Sequence, residues 1–164
     1  MDLKKYIRSI PDYPKKGILF RDITTLIKNE KAFAETIEQI VERSKKFNFD
    51  KIAAIESRGF VFASAVSYIL KKPFIMLRKK NKLPADVHSI DFELEYGTAT
   101  IEVHKDSIKK NDDVLIIDDL IATGGTAKAA AKLIEISEGN VAAFIFVINL
   151  FDLGGNDDLL KNNY

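Results

Sequence analysis

The chain has 164 residues, 46% of them hydrophobic, which suits one globular domain with a full core. Its 25 Lys and Arg residues balance 24 Asp and Glu residues, so no general electrostatic signal points to nucleic acid or to an anionic membrane. It has no cysteine, which excludes disulfides, thiolate catalysis and cysteine-bound zinc. The N-terminus lacks the pattern of a signal peptide, and a cytoplasmic location is expected.

The first third of the chain predicts a helix, a strand and a second helix after an irregular start. Residues 1–30 are predicted to be irregular, because prolines and a glycine interrupt them. Apolar side chains recur at helical spacing from Lys31 to Lys46, and Asn29 is a candidate N-cap for that helix. Lys51–Ile55 reads as a short apolar strand, and Phe60–Leu70 reads as a buried helix rich in small residues.

The rest of the chain continues this alternation. The predicted elements are a strand at Pro73–Leu77, two strands within Phe92–Val103 joined near Tyr96–Gly97, a strand at Val114–Ile117, a helix at Ala127–Ile136 and a strand at Val141–Leu150. Val114–Ile117 has no polar alternation, so it is expected in the centre of the sheet. Strands that alternate with helices predict an α/β fold, with a mostly parallel central sheet flanked by helices, in a single domain over residues 1–164.

One segment, VLIIDDLIATGGTA (Val114–Ala127), carries a chemical signal. Its apolar run leads into Asp118 and Asp119 at the end of the predicted strand, where ligands of open α/β sheets bind. Residues 122–126 then open a helix, whose free N–H groups and dipole favour an anion, and the adjacent glycines let the backbone approach it. The segment predicts a phosphate-binding loop beside carboxylates suited to sugar hydroxyls, a magnesium ion or a developing positive charge.

The plain alternative is a strand, a turn and a helix capped by an aspartate. It is disfavoured, because adjacent carboxylates at a strand end repel each other. The segment matches neither the GxxxxGK[ST] phosphate loop nor the GxGxxG dinucleotide fingerprint.

The same segment resembles the phosphoribosyl pyrophosphate signature of the type I phosphoribosyltransferases. Four other segments occur in the order seen in the adenine-specific members of that family: PDYPKKGILFRDIT (Pro11–Thr24), ESRGF (Glu56–Phe60), RKKNKLP (Arg78–Pro84) and LEYG (Leu94–Gly97). The resemblance covers nearly the whole chain. It implies the type I phosphoribosyltransferase fold, with a small N-terminal hood and a mobile β-hairpin lid. The implied reaction joins adenine to phosphoribosyl pyrophosphate and gives AMP and pyrophosphate.

The resemblance assigns the residues that hold phosphoribosyl pyrophosphate. The 5′-phosphate is expected on the loop formed by Ala122, Thr123, Gly124, Gly125 and Thr126. Asp118 and Asp119 are expected to face the ribose hydroxyls and to stabilise positive charge that builds on the ring. The pyrophosphate is expected to meet Ser57, Arg58, Arg78, Lys79 and Lys82. The alternative for the RKKNK run is a solvated charge run.

The resemblance also implies a cofactor and an assembly. Mg²⁺ is expected between pyrophosphate and ribose oxygens, with no dedicated set of protein ligands, since Mg²⁺ prefers substrate oxygens and water. A homodimer is expected, because one basic residue of the family reaches across a dimer interface. The other expected partners are adenine and phosphoribosyl pyrophosphate, with no nucleic acid and no membrane.

Adenine is expected against Leu19, Phe20 and Arg21, with Phe20 stacked on one face and Leu120 covering the other. Glu95 is the candidate for assisting proton movement near adenine N7. Tyr96 is expected on the lid, which would exclude water from a reactive ribosyl cation.

Two other functions stay open at this point. An enzyme for a 6-oxopurine would need a donor toward O6, often a lysine, within or just after Val141–Leu150; that region offers Asn149 and Asp152 but no lysine before Lys161. A regulatory protein that senses phosphoribosyl pyrophosphate and binds DNA would need a basic surface and an added domain, for which the net charge of +1 gives no support.

Overall fold

The structure is a computed structural model that describes residues 1–94 and 97–164. Glu95 and Tyr96, which the sequence assigns to proton movement and to the lid, lie outside the described residues. The chain divides into two compact units, residues 1–43 and residues 44–164. Among the helices described, none is long and apolar enough to cross a membrane.

The N-terminal unit is more ordered than the sequence predicts. A 3-10 turn at Leu3–Tyr6 precedes an antiparallel pair of strands, after which two helices follow: β1 (Arg8–Pro11), β2 (Leu19–Asp22), α1 (Thr24–Ile27) and α2 (Glu30–Ser44). The prediction that residues 1–30 are irregular is therefore wrong. The glycine and one of the prolines lie in the connection between β1 and β2, where Gly17 has a positive φ and its N–H donates to Asp12 Oδ1 at 2.7 Å. The proline and the glycine therefore form the turn between the two strands, and they do not stop the flanking residues from forming strands.

Two polar contacts fix this unit. Asn29 Oδ1 accepts a hydrogen bond from Ala32 N–H at 3.0 Å, which confirms Asn29 as the cap of α2. Arg8 binds the buried Asp22 through Nε, at 2.9 Å, and through Nη2. The Arg8 guanidinium, together with the Thr24 N–H, lowers the pKa of Asp22 to about 2.

The larger unit is built on a six-stranded sheet in the order β5–β6–β4–β3–β7–β8. Its elements are β3 (Lys51–Ile55), α3 (Arg58–Leu70), β4 (Phe74–Lys79), β5 (Val87–Leu94), β6 (Gly97–His104), β7 (Asp113–Ile121), α4 (Gly125–Ile136), β8 (Asn140–Asn149), a 3-10 turn at Phe151–Leu153 and α5 (Gly155–Lys161). Strands β4, β3, β7 and β8 are parallel, and β5 and β6 form an antiparallel hairpin. The α/β prediction is confirmed.

The core forms where β7 lies between β3 and β8. Val114–Ile117 are fully buried, which confirms the prediction of a central strand. Val114 and Ile116 share one apolar cluster with small and branched side chains of α4, including Ala130 and Leu133. Small alanines on α4 let the helix approach the sheet closely, so the loop that joins β7 to α4 is short and well supported.

Three elements extend further toward the site than the sequence predicts. Strand β7 continues to Ile121, because its pairing with β8 persists at Asp118–Phe146 and Leu120–Ile148. Helix α3 begins at Arg58 and α4 begins at Gly125. Asp118 and Asp119 are therefore strand residues, not loop residues, and their backbone is held by the sheet.

The packing around β7 predicts the effect of a cavity there. Ile116→Ala removes a side chain that is 0% exposed, and it is expected to lower the free energy of unfolding by about 2–5 kcal/mol. Ile136→Ala on α4, where the side chain is 45% exposed, is the matched control and should change it by about 0.5 kcal/mol or less. Urea unfolding measures both. Equal losses in the two variants would contradict the assignment of the core.

Candidate active site

A cavity of about 400 Å³ lies at the carboxyl ends of β3 and β7. The described residues that line it belong to the larger unit: Ile55, Glu56, Ser57, Arg58, Lys79, Asp118, Asp119, Leu120, Ile121, Ala122, Thr123, Gly124, Gly125, Thr126, Ala127 and Phe146. The β3–α3 connection forms one wall and the β7–α4 connection forms another. The structure thus brings together both aspartates, the whole glycine loop and the Ser57–Arg58 pair that the sequence assigns to one site.

The two aspartates meet a cation from α3. Asp119 is 3% exposed, and its Oδ2 lies 3.1 Å from Arg58 Nε. Within the part of the chain that the structure describes, Asp119 Oδ2 has no hydrogen-bond donor, so this contact is an ion pair without hydrogen-bond geometry. Asp118 Oδ1 accepts a hydrogen bond from the Asp119 N–H at 2.8 Å. Both carboxylates are therefore held in place while one oxygen still lacks a hydrogen bond.

Burial makes the charged form of both carboxyls costly. It raises the pKa of Asp118 to about 8, and the neighbouring charge of Asp119 adds to this rise. Burial also raises the pKa of Asp119, although the Arg58 cation opposes that rise. A group of positive charge that enters the cavity would favour the ionised form of both.

The glycine loop has the shape of an anion site. Gly124 has φ +87° and precedes α4 with no side-chain cap, so the first N–H groups of the helix have no intrahelical acceptor. The loop is supported by a segment that the sequence reasoning did not place at the site. Gly155 N–H donates to the Ala122 carbonyl at 3.0 Å, and a Cβ on Gly155 would lie 2.4 Å from that oxygen. Only glycine fits at position 155.

Gly59 permits the close approach of α3 to β7. A Cβ at this position would lie 2.7 Å from Asp118 Oδ1 and 3.0 Å from the Ile117 carbonyl. The missing side chain lets the first turn of α3 bring Arg58 onto Asp119. In the sequence, Gly59 is the glycine of the ESRGF segment. Gly155, which supports the glycine loop, is the last residue of a DLGG segment at residues 152–155.

The basic run is only partly in the cavity. Lys79 lines it, whereas Arg78 and Lys82 are not among the lining residues. Arg78 pairs with Glu56: Nη2 lies 2.9 Å from Oε1, and Nε lies 3.3 Å from Oε2. Hydrogen bonding to Arg78, with help from the Lys79 N–H, lowers the pKa of Glu56. Glu56 is a residue of this site that the sequence reasoning did not single out.

The residues expected to hold adenine divide between the units. Leu120 lines the cavity. Leu19, Phe20 and Arg21 lie on β2 of the N-terminal unit, where the Phe20 ring packs edge-on against Tyr13 at 5.1 Å between centroids. Arg21 Nη1 donates to Ser9 Oγ.

The end of β5 lies next to the glycine loop. The Glu93 carbonyl, near the end of β5, is 3.7 Å from the position that a Cβ on Gly125 would take. Across residues 1–94 and 97–164, no cluster of three or more His, Asp or Glu side chains could hold a metal ion.

Comparison with known proteins agrees with this site. The family model for the phosphoribosyl transferase domain matches residues 22–154. The adenine phosphoribosyltransferase of Pelagibacter ubique is 79% identical over 164 residues, which is 100% of this chain and 94% of that protein. The crystal structure of the enzyme from Thermoanaerobacter pseudethanolicus superposes with a TM-score of 0.93 at 47% identity, covering 96% of this chain and 92% of the other.

The yeast enzyme, complexed with an imino-altritol bisphosphate and adenine, is more distant. It superposes with a TM-score of 0.89 at 35% identity, over 95% of this chain and 91% of the other. The chain belongs to the phosphoribosyl transferase family. Within that family it belongs with the adenine phosphoribosyltransferases, which are glycosyl-transferring enzymes of purine salvage.

The raised pKa values predict how stability depends on pH in the absence of substrate. Between the ordinary aspartate pKa and about 8, the native state keeps protons that the unfolded state releases, so stability falls as the pH rises through this range. Asp118→Asn removes most of this effect. At pH 8 the variant is expected to be more stable than wild type by at least about 1 kcal/mol, and the difference should vanish near pH 4.

Urea unfolding at several pH values checks this prediction. Asp152→Asn, a change at an exposed residue beyond β8, is the control and should follow the wild-type curve. A wild-type pH dependence that survives in Asp118→Asn would show that Asp118 does not carry it.

Proposed function

We propose that this cavity is where the chain transfers the 5-phosphoribosyl group from phosphoribosyl pyrophosphate to adenine, giving AMP and pyrophosphate. The observation that carries the proposal is the placement of Asp118 and Asp119 beside the 122–126 loop in one cavity. Anion-binding backbone and buried carboxylates are both needed for a substrate that has a phosphate at one end and a reacting ribose carbon in the middle. Residues 1–164 are proposed to work as one phosphoribosyltransferase domain.

The 5′-phosphate is proposed to bind the loop at the start of α4. Its oxygens would accept hydrogen bonds from the backbone N–H groups of 122–126 and from the hydroxyls of Thr123 and Thr126. The support is the helical start at Gly125 and the positive φ of Gly124, which turns the backbone into the cavity. With the phosphate fixed there, the ribose would lie over the carboxyl end of β7.

Asp118 and Asp119 are proposed to act on the ribose. The C1′–O bond breaks before the bond to adenine N9 is complete, so positive charge builds on the ring while pyrophosphate leaves with the bonding electrons. Carboxylates already fixed beside the ring stabilise this charge, and one such preorganised group is typically worth ~3 kcal/mol. Burial makes both groups costly to ionise in the empty cavity, and the positive charge that develops on the ring would offset this cost in the transition state.

Pyrophosphate is proposed to leave against the opposite wall. Ser57, Arg58 and Lys79 line the cavity there and supply a hydroxyl and two cations. Lys82 follows in the same basic segment and is proposed as a further cation. Arg78 adds its charge beside Glu56, where the pair joins the two wall segments.

Mg²⁺ is the proposed cofactor. The donor chemistry fits a metal that the substrate brings: the cavity offers the carboxylates of Asp118 and Asp119, while its third carboxylate, Glu56, is engaged by Arg78. Among the described residues no group of three or more His, Asp or Glu side chains could hold the ion as a protein cage. When bound, Mg²⁺ would offset the negative charge of pyrophosphate. The aspartates would be the protein groups nearest to it.

Adenine is proposed to lie with one face on Leu120 and the other against Phe20, with backbone groups of Leu19 and Arg21 reading its edge. Glu95 is proposed to assist proton movement at the base, and Tyr96 to close over it. The support is indirect: the related enzyme of Giardia lamblia, 34% identical with a TM-score of 0.90, was solved with 9-deazaadenine. The end of β5 beside the glycine loop is consistent with a closing hairpin.

A cytoplasmic homodimer is the proposed state of the chain. Helix α3 exposes large apolar side chains next to the cavity wall that it forms: Val61 is 37% exposed, Tyr68 75% and Ile69 49%. Exposed apolar groups on one helix are typical of a surface that another protein covers. A second copy on this face would lie close to Arg58 at the start of the same helix.

An assay of AMP formation tests the function. Adenine with phosphoribosyl pyrophosphate and Mg²⁺ is expected to give AMP, with EDTA abolishing the reaction and hypoxanthine giving little product. Asp119→Asn should keep the fold and lower kcat about 10²-fold or more. Faster turnover of hypoxanthine or guanine would contradict the assigned base, and a wild-type rate for Asp119→Asn would remove that residue from the chemistry.

Light scattering tests the dimer. Wild type is expected at twice the mass of one chain, and Tyr68→Lys should weaken the dimer at least about tenfold by placing a charge in an apolar interface. Phe151→Lys changes an aromatic residue that is equally exposed, at 77%, and should leave the dimer intact. A monomeric wild type, or equal effects of both changes, would contradict the proposed interface.

A further inference from the structure

The basic turn, residues 79–82, is held by acceptors on both sides. Lys79 N–H donates to Glu56 Oε2 at 2.9 Å, and Asn81 N–H donates to Glu102 Oε2 at 3.0 Å. Lys80 N–H donates to the Thr100 carbonyl at 3.3 Å. Asn81 has φ +64°, a left-handed conformation that asparagine tolerates better than most residues. Two carboxylates, one from the connection after β3 and one from β6, thus hold successive parts of one cationic turn.

We propose that Glu56 and Glu102 are positioning residues for phosphoribosyl pyrophosphate: they hold the basic turn so that Lys79 faces the cavity. Neither residue needs to touch the substrate. The inference rests on the proposed function. It adds that the carboxylates of Glu56 and Glu102 fix the backbone conformation of the basic turn.

Glu56 joins the turn to the opposite loop. It directly follows β3 and precedes Ser57 and Arg58, and its carboxylate accepts from Arg78 through both oxygens as well as from Lys79 N–H. Arg78 Nη1 in turn donates to the Lys82 carbonyl at 3.3 Å. The partners that the described part of the chain offers to Glu56 are donors only, so each of its oxygens must be an acceptor there.

Glu102 holds the turn from the sheet. It lies on β6 opposite Arg78 of β4 and Ser89 of β5, and it is only 6% exposed. A carboxylate buried to this degree costs stability unless its oxygens are engaged. One oxygen accepts from Asn81 N–H, and the other accepts from Ser89 Oγ at 3.2 Å. The Ser89 hydroxyl can also accept a hydrogen bond, so it could pair with an N–H donor placed where Glu102 Oε1 now lies.

This difference in partners predicts different results for the same substitution. In Glu102→Gln, the amide oxygen can accept from Asn81 while the amide NH₂ donates to Ser89, so the turn should keep its shape. In Glu56→Gln, the NH₂ group replaces either Oε1, which leaves Arg78 Nη2 without its acceptor, or Oε2, which leaves both Arg78 Nε and Lys79 N–H without theirs. In both orientations the clamp on the turn loses a hydrogen bond from a charged group. Glu102→Ala removes both contacts and should behave like Glu56→Gln.

The experiment combines steady-state kinetics with calorimetric binding of phosphoribosyl pyrophosphate and Mg²⁺. Glu56→Gln and Glu102→Ala are expected to raise both KM and Kd for phosphoribosyl pyrophosphate at least about tenfold, the scale of one lost hydrogen bond to a charged group. KM for adenine and kcat should stay within about twofold of wild type, well below that scale. Glu102→Gln should recover most of the affinity. Each effect should shrink in a Lys79→Ala background, because the residues act through Lys79.

Asp112→Asn is the matched control. Asp112 also accepts from a backbone N–H, that of Lys109, and pairs with Lys51 at 2.7 Å, but it lies at the opposite end of the sheet, before β7. It should lower thermal stability without changing Kd. If Glu102→Ala does not fold, Glu56→Gln with and without Lys79→Ala decides the matter.

An unchanged Kd in Glu56→Gln and Glu102→Ala would overturn the inference, and so would an effect that persists undiminished in Lys79→Ala. Failure of the proposed function looks different. Wild type would then form no AMP, while the binding measurement would still test the two glutamates.

Discussion

The site depends on two adjacent carboxylates buried at the carboxyl end of β7. Asp118 and Asp119 are costly there, since burial raises the pKa of each. The fold offsets part of this cost by bringing Arg58 to Asp119 at 3.1 Å. That contact requires α3 to begin at Arg58 and to approach β7 closely, which Gly59 permits by having no side chain beside Asp118. Fixing the aspartates thus determines where α3 begins and which wall of the cavity carries positive charge.

A second set of constraints shapes the two loops that face these aspartates. The glycine loop is held from behind by Gly155, whose N–H donates to the Ala122 carbonyl. The basic turn is held from the sheet by Glu102 and from the neighbouring loop by Glu56. In both cases the support comes from a segment distant in sequence, and it acts on the backbone of the loop. Backbone held in this way costs little entropy when an anion binds, which is what preorganisation requires.

Features that a contiguous stretch of sequence encodes could be predicted, whereas contacts between residues far apart in the sequence could not. Val114–Ile117 was predictable as a central strand because a strand buried on both faces shows an unbroken apolar run. The glycine loop was predictable because its glycines and threonines are contiguous. The β1–β2 pair was missed, because Pro11 at the end of β1, and Pro14 and Gly17 in the connection, obscured two strands of only four residues each. The engagement of Arg78 with Glu56 was missed because the partners are 22 positions apart, and no periodicity reports such a pair. Resemblance to a family supplied the roles of the basic residues, but it did not reveal which of them lines the cavity.

The charges of the site explain why such supports are needed. Arg58 and Arg78 each face a carboxylate in the free protein, so neither cation is simply available to an incoming anion. At the proposed site, pyrophosphate would share them with Asp119 and Glu56. An anion that shared Arg58 would weaken the pairing of Asp119 just as positive charge develops on the ribose, and the carboxylate would then interact more strongly with the ring. Glu56 differs from Asp119, because it also accepts a hydrogen bond from Lys79 N–H. That hydrogen bond would hold Glu56 in place even if Arg78 turned to bind an anion. In the proposed mechanism the two ion pairs are therefore not equivalent: the Arg58–Asp119 pair would respond to the reaction, and the Arg78–Glu56 pair would keep the geometry in which the reaction occurs.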